Sequence, residues 1–140
     1  MYISTCEEDT ITIARDLAGE ITGPVVICLY GTLGMGKTVF SRALIRALCA
    51  DETIEVISPT FNLVQIYDGV MAPIYHFDLY RLEDAQEIFA LGWEEAVYDG
   101  ITIVEWPERL GAYKPNSTLD IHITTVNNNN THRMIEIVKP

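Results

Sequence analysis

The hydrophobic residues of the chain follow two repeats, one typical of helices and one typical of buried strands. Apolar side chains three or four positions apart predict an amphipathic helix that ends before Gly23-Pro24, and a second helix over 40–48. Continuous apolar runs predict buried strands over 25–30 and 101–104. Strands that alternate with helices in this way are typical of an α/β fold.

Turn and cap residues divide the rest of the chain into shorter elements. Ser4 and Thr5 precede Glu7 and Glu8 at the spacing of a capping box, which predicts the start of the first helix. Strand-like segments on either side of Asp68-Gly69 predict an antiparallel hairpin with a long loop. Two short helices follow it, over 83–91 and 93–98, and a glycine ends each of them. Two strands are predicted further along the chain, over 119–123 and 134–137, joined by an asparagine turn.

Composition and charge narrow the class of protein. Hydrophobic residues make up 49% of the 140 residues and charged residues 21%, which is typical of a globular domain. The net charge of −11 argues against a broad nucleic-acid-binding face, because phosphate contacts require clustered Lys and Arg. It fits solubility equally well as docking onto a basic protein surface.

The cysteines and the apolar runs bear on the compartment. Three cysteines without C-x-x-C spacing indicate neither a disulfide framework nor a zinc site, and Cys28 is expected to be a small core residue. No apolar run approaches the roughly 20 residues that span a bilayer. The N-terminus lacks the pattern of a signal peptide, so we expect a cytoplasmic protein with no membrane partner.

One stretch carries the strongest chemical signal. Residues 31–38 fit G-x-x-x-x-G-K-[ST], the P-loop pattern, between a predicted strand and a predicted helix. Its glycines let the backbone turn tightly and direct N–H groups at a phosphate, and the helix N-terminus adds partial positive charge. In such a loop Lys37 reaches the β- and γ-phosphates and the Thr38 hydroxyl ligates Mg²⁺.

The P-loop and the element order together define the expected fold. We predict a single P-loop NTPase-like domain over 1–140, built in three layers. Its central sheet is expected to be mixed and largely parallel, with an antiparallel hairpin portion.

Phosphoryl transfer with Mg²⁺ also requires an acidic residue at a neighbouring strand end. Glu105 directly follows the strand over 101–104, and Pro107 prevents that strand from simply continuing. Glu105 is therefore expected at the carboxyl edge of the sheet, where open α/β sheets bind ligands. Asp78, at the end of the second hairpin strand, is the other candidate acid and is suited to positioning water.

Two residues near these acids have alternative interpretations. Arg81 either supplies charge opposite the leaving phosphate or forms a salt bridge with Glu83 or Asp84. His76 shares a strand face with Asp78, although a hydrogen-bonded structural histidine is the interpretation favoured for it. The guanine-reading sequence N-K-x-D is absent, so a GTPase is not expected.

Four motifs occur in an order and at a spacing that resemble one protein family. Besides the P-loop they are Ser58-Pro-Thr-Phe-Asn-Leu-Val64 with Tyr67, His76-Phe-Asp-Leu-Tyr-Arg-Leu82, and Val104-Glu-Trp-Pro-Glu108. Together they closely resemble the TsaE (formerly YjeE) family, bacterial ATPases needed for N6-threonylcarbamoyladenosine modification of tRNA. The resemblance covers nearly the whole chain, and four ordered motifs are far more specific than a P-loop alone.

The resemblance implies cofactors and partners. Members bind ATP and Mg²⁺ and join a pair of paralogous proteins, TsaB and TsaD. That complex modifies adenosine 37 of tRNAs that read A-starting codons, so tRNA would be met only indirectly. Hydrolysis of ATP supports turnover of the complex.

The resemblance also implies site residues. The phosphates would be bound by Leu33, Gly34, Met35, Gly36, Lys37 and Thr38. Thr38 and Glu105 would lie at the metal, and Lys37, Asp78 and Glu105 would be catalytic. Trp106 would sit beside the nucleotide, and Ser58-Pro-Thr60 resembles a switch segment near the γ-phosphate. Glu7, Thr10 and Arg133 would close over the adenine. Met35 and Val39 depart from the common family residues, but neither removes a required polar group.

Two other functions stay open from the residues alone. A small-molecule kinase would need an acceptor pocket and a mobile lid carrying arginines. The chain has 9 Lys plus Arg residues and no obvious basic lid, which favours the ATPase. The other is a nucleotide-binding module with incidental hydrolysis, and the residues do not separate it from a weak ATPase.

Overall fold

The computed structural model describes residues 1–31, 36–127 and 129–140. Within these ranges the chain forms twelve helices and strands. In chain order they are β1 (Tyr2–Ser4), α1 (Glu7–Glu20), β2 (Val25–Tyr30), α2 (Lys37–Leu48), β3 (Val64–Tyr67), β4 (Ile74–Asp78), a first 3₁₀ helix (Ala85–Leu91), α3 (Trp93–Asp99), β5 (Ile101–Glu105), a second 3₁₀ helix (Pro107–Tyr113), β6 (Leu119–Val126) and β7 (Asn129–Val138).

The described strands form one mixed sheet in the order β1-β7-β6-β2-β5-β4-β3. Its four central strands, β6, β2, β5 and β4, are parallel to one another. Antiparallel pairs close both edges, and β3 with β4 is the predicted hairpin. Because β2 lies between β5 and β6, the segment that follows β2 leaves from the middle of the parallel strands.

Helices cover both faces of the sheet, so the predicted three-layer α/β fold is confirmed. Helices α1 and α2 pack on one face, against side chains such as Ile27 and Leu29 of β2. The two 3₁₀ helices and α3 pack on the other face, against Val26 and Cys28 of the same strand. This alternation along β2 is the reason that an uninterrupted apolar run forms a strand buried on both faces. Burial raises the pKa of the Cys28 thiol to about 12, as befits a core cysteine.

The N-terminal segment differs from the sequence-based prediction. Strand β1 was not predicted, because three residues are too few to show a period, and it exists through pairing with β7. The predicted capping box is wrong: Thr5 donates its backbone N–H and its hydroxyl to Asp9 instead of pairing with Glu8. The Ser4 hydroxyl turns inward and donates to the backbone oxygen of Cys6. No helix in the described ranges combines the length and apolar character needed to cross a membrane.

Candidate functional site

The predicted strand–loop–helix unit is present at the centre of the sheet. Strand β2 ends at Tyr30, and α2 begins at Lys37 with Gly36 as its N-terminal flanking residue. Gly36 has φ 89° and ψ 11°, a left-handed conformation that disfavours any residue with a Cβ. The backbone N–H of Phe40 donates to the Gly36 oxygen at 3.0 Å and closes the first helical turn. The predicted phosphate-binding residues Leu33, Gly34 and Met35 lie outside the described residues.

Lys37 is the buried cation of the site. Its side chain is only 5% exposed, and its Nζ has no hydrogen-bond partner among the residues that the structure describes. The Nζ lies 4.4 Å from the centre of the Trp106 ring, which is a cation–π contact. A buried ammonium without hydrogen bonds is costly, so this arrangement suits a group that gains its partners from an anion. Thr38, the next residue, is exposed on the first turn of α2.

Two acids meet at the carboxyl edge of the parallel strands. Asp78 ends β4 and Glu105 ends β5, and the two are directly paired in the register of these strands. Both are buried, at 7% and 8% exposure. Burial is the main reason that the pKa of the Asp78 carboxyl is raised; the backbone N–H of Tyr80 opposes the rise, and the charge of Glu105 adds to it. The structure therefore brings together the two acids that the sequence placed at strand ends.

Glu105 has a partner that the sequence did not indicate. The Nε2 of His76 lies 2.7 Å from its Oε2, and both side chains are almost completely buried. The interpretation of His76 as a hydrogen-bonded histidine is thus consistent with the structure, but its partner is the candidate metal-binding acid. The available signal was the alternation of His76 and Asp78 on one strand face, which identifies no partner on another strand.

Trp106 follows Glu105 and turns the chain into the second 3₁₀ helix. It adopts a left-handed conformation, with φ 59° and ψ 50°, which is uncommon for a bulky residue. Its ring contacts that of Tyr80 at 4.8 Å between centroids and lies beside Lys37. Tyr80 is a further residue of this cluster that sequence reasoning did not single out, although it belongs to the His76–Leu82 motif.

Gly36 also lines a cavity of about 550 Å³. The residues predicted to close over the adenine, Glu7, Thr10 and Arg133, all line it, together with Val39. They come from α1 and β7, at widely separated positions of the chain. Thr10 is buried and its hydroxyl lies 2.6 Å from that of Ser4, so this hydroxyl is already hydrogen-bonded.

The Ser58-Pro-Thr60 segment and Arg81 lie apart from these clusters in their contacts. The Ser58 and Thr60 hydroxyls are hydrogen-bonded to each other at 2.8 Å and exposed. The guanidinium of Arg81 lies 4.7 Å from the centre of the Phe61 ring. No ion pair of Arg81 with a carboxylate occurs in the described part of the chain, so the salt-bridge interpretation is wrong there.

The donor set fits a magnesium ion held mainly by phosphates and water. Within the described ranges there is no group of three or more His, Cys, Asp or Glu side chains arranged to hold a metal on their own. Mg²⁺ in nucleotide sites uses one or two carboxylates, with the remaining ligands from phosphate oxygens and water. One acid, Glu105, and one hydroxyl, that of Thr38, meet that requirement.

Comparison with known proteins decides the family. The model of the family described as "Threonylcarbamoyl adenosine biosynthesis protein TsaE" matches residues 4–135. The chain belongs to the TsaE family. The resemblance seen in the four motifs is thereby confirmed.

Individual relatives extend over most of both chains. A tRNA threonylcarbamoyladenosine biosynthesis protein TsaE from Rickettsia conorii is 37% identical over 129 residues, which is 92% of this chain and 73% of the relative. The protein of the same name from Aquifex aeolicus is 44% identical over 103 residues, 74% of this chain and 73% of the relative. The crystal structure of Bacillus subtilis YdiB superposes with a TM-score of 0.74 at 29% identity, covering 99% of this chain and 83% of that chain.

Proposed function

We propose that this protein binds and hydrolyses ATP with Mg²⁺ as an accessory protein of the complex that forms N6-threonylcarbamoyladenosine at position 37 of tRNAs reading A-starting codons. The observation that carries the proposal is Lys37. Its ammonium is buried at the N-terminus of α2, without a hydrogen-bond partner in the described ranges, in a chain of the TsaE family. A triphosphate is the anion that a P-loop lysine pairs with.

The surrounding residues support a role in holding the phosphates. The left-handed Gly36 allows the backbone to turn into α2, whose first N–H groups and partial positive charge favour an anion. Lys37 adds a full charge where water is excluded, so its hydrogen bonds to phosphate oxygens are strong. When bound, Mg²⁺ neutralises charge on the phosphates. Thr38 and Glu105 are the residues that would hold it.

Asp78 is the residue proposed to orient the attacking water. Its carboxylate is fixed by the backbone N–H of Tyr80 at 3.0 Å and lies beside Glu105 in the strand register. Its raised pKa makes it a better proton acceptor than an ordinary aspartate, because basicity rises with pKa. The two neighbouring acids thus have different proposed tasks, Glu105 toward the metal and Asp78 toward water.

The nucleoside is proposed to occupy the cavity beside Gly36. That cavity adjoins the start of α2 and is lined by Glu7, Thr10 and Arg133. Trp106, on the side of Lys37, would then lie next to the phosphates. This assignment gives each predicted nucleotide-binding residue in the described ranges a place around one ligand.

The proposed partners are a TsaB–TsaD-type protein pair, with tRNA contacted only through the complex. Arg81 follows Asp78 by three residues, but its guanidinium lies over the Phe61 ring, apart from Lys37 and the two acids in its contacts. An arginine that reaches the transferred phosphate contributes roughly 10³–10⁵ in rate, so its absence from the site makes the isolated chain a slow ATPase. The net charge of −11 suits docking onto a basic protein surface.

The experiment measures ATP hydrolysis by the isolated chain, with the purified pair, and with the pair at high salt. We expect slow hydrolysis alone, faster hydrolysis with the pair, and loss of the gain at high salt as surface charges are screened. Glu105→Gln serves as the site control, and it should lower Mg²⁺-dependent hydrolysis without unfolding the protein. Fast turnover by the isolated chain that the pair leaves unchanged would refute the accessory role.

A further inference from the structure

His76 is a buried polar residue in a strand that is otherwise apolar until its last position. All five residues of β4 are buried, and the Ile74, Tyr75 and Phe77 side chains belong to the two hydrophobic cores. Nothing in the packing of this strand calls for an imidazole, since an apolar side chain of similar volume would avoid burying polar atoms. The residue therefore needs an explanation outside packing.

The contacts of His76 point to one partner. Its Nε2 lies 2.7 Å from Oε2 of Glu105, and an ionised carboxylate only accepts hydrogen bonds, so Nε2–H is the donor. The Nδ1 is also buried and has no hydrogen-bond partner in the ranges that the structure describes. The imidazole thus leaves one of its polar atoms unsatisfied while it holds the carboxylate of Glu105.

The sheet register explains how the two side chains meet. His76 is paired with Ile103 in the parallel strands β4 and β5, so Glu105 lies two residues further along the same face. The residue paired directly with Glu105 is Asp78, and the negative charges of the two carboxylates repel each other. Without the hydrogen bond from His76, the carboxylate would be free to turn away from this neighbouring charge.

We propose that His76 is a positioning residue that fixes one oxygen of Glu105 and thereby directs the other oxygen toward the Mg²⁺ of the nucleotide complex. The proposal rests on the proposed function, because it assumes that Glu105 acts at the metal. Carboxylates that ligate metals are commonly held by a second hydrogen bond, and loss of such a partner typically weakens metal binding about 10- to 100-fold.

The experiment is a double-mutant cycle read by binding and not by turnover. Titration calorimetry measures the affinity for the non-hydrolysable ATP analogue adenosine 5′-(β,γ-imido)triphosphate, with Mg²⁺ and with EDTA. The ratio of the two affinities is the contribution of the metal. The proteins are the wild type, His76→Leu, His76→Gln, Glu105→Gln and the double variant His76→Leu/Glu105→Gln. Gln is the rescue variant, because its amide nitrogen can take the place of Nε2 as donor.

Thr102→Val is the matched control for a lost buried hydrogen bond. Thr102 lies on the same strand as Glu105, is fully buried, and donates to the Ala96 oxygen at 3.0 Å on the opposite face of the sheet. Circular dichroism and urea unfolding of every variant show which of them are folded. Thr102→Val should lose stability and keep the wild-type metal contribution.

We expect His76→Leu to lower the metal contribution about tenfold and to leave the affinity in EDTA within about twofold. His76→Gln should recover most of the loss, and His76→Leu should have no further effect in the Glu105→Gln background. An equal loss in both backgrounds, an unchanged metal contribution in folded His76→Leu, or no rescue by Gln would overturn the inference. Absence of Mg²⁺-dependent analogue binding in the wild type would instead refute the proposed function, and this inference with it.

Discussion

Replacing Lys37 by Met should stabilise the empty protein and weaken nucleotide binding at the same time. The two effects have a common cause, which is the buried ammonium that lacks a hydrogen-bond partner in the described part of the chain. Met keeps a long, unbranched side chain that can still pack on the Trp106 ring, where its sulfur contacts the aromatic face. The substitution therefore removes the charge with little change in packing.

The size of the stabilisation follows from two opposing terms. A buried charged group without hydrogen bonds costs more than the roughly 1–3 kcal/mol of a neutral buried polar group. The cation–π contact with Trp106, at 4.4 Å, offsets roughly 2 kcal/mol of that cost when it is shielded from water. The cost of the charged group lies above about 3 kcal/mol, so the free energy of unfolding of empty Lys37→Met should exceed that of the wild type by at least about 1 kcal/mol.

The loss of nucleotide affinity follows from the phosphate contacts. A hydrogen bond to a charged group contributes roughly 1.5–3 kcal/mol, so removing it should weaken binding roughly 10- to 150-fold. At a ligand concentration of about 100 times the wild-type Kd, the wild type gains about 2.7 kcal/mol of stability from binding. A variant whose Kd is about 100-fold higher gains only about 0.4 kcal/mol at that concentration. The stability order of the two proteins should reverse when nucleotide is added.

The assay is urea unfolding followed by far-ultraviolet circular dichroism, with and without the ATP analogue and Mg²⁺. Fluorescence is avoided because the substitution changes the surroundings of Trp106. Lys139→Met is the matched control, because the Lys139 ammonium is exposed and pairs with Glu20 at the surface. This substitution should change neither the stability of the empty protein nor the stabilisation by nucleotide. If empty Lys37→Met were less stable than the wild type, or if nucleotide stabilised both equally, the reasoning about the buried ammonium would be wrong.

Three further predictions concern other parts of the chain. Burial raises the pKa of Asp78 above its ordinary value of 3.8. Between the ordinary and the raised pKa, the folded state therefore binds more protons than the unfolded state. The free energy of unfolding falls as the pH rises through that window. Asp78→Asn should therefore be more stable than the wild type at neutral pH, with the difference disappearing below the ordinary value; a constant difference in urea unfolding across pH would contradict this. With a thiol reagent at pH 8, exposed Cys6 should react rapidly, whereas buried Cys28, whose pKa is about 12, should react only after denaturation. Mass spectrometry of the labelled peptides measures both reactions. Rapid labelling of Cys28 in the native protein would contradict its burial. In thermal unfolding, Gly19→Ala in α1 should stabilise the protein by about 0.5 kcal/mol, because the new methyl group meets open space. Gly92→Ala should destabilise it by about 1–2 kcal/mol, because Gly92 has φ 86°. Equal effects of the two substitutions would show that backbone conformation does not determine the change in stability.

Local patterns in the sequence were sufficient to predict the strand–loop–helix unit around which the site is built. The apolar run of β2, the glycines that follow it and the helical repeat of α2 each depend on neighbours within a few residues. The same is true of Glu105, because the apolar run of β5 before it and Pro107 after it mark the end of a strand. These features depend on backbone geometry and hydrophobic period, which are properties of short segments.

Long-range features of the site followed only from the tertiary structure. His76 and Glu105 are 29 positions apart, and they meet because β4 pairs with β5 in one particular register. A shift of that register by one residue would turn His76 to the opposite face, and no local pattern specifies it. Strand β1 likewise exists only through its pairing with β7.

The contacts of Lys37 and the set of residues that line the cavity beside Gly36 also followed only from the tertiary structure. The P-loop pattern identified Lys37, but the position of the Trp106 ring depends on the left-handed turn after β5. Glu7 and Arg133 line one cavity because α1 packs beside α2, and because β7 is paired between β1 and β6 toward one side of the sheet. The sequence by itself determined which residue types were available at the end of each strand and the start of each helix. The order and register of the strands decided which of them meet, because those depend on burying both faces of the whole sheet at once.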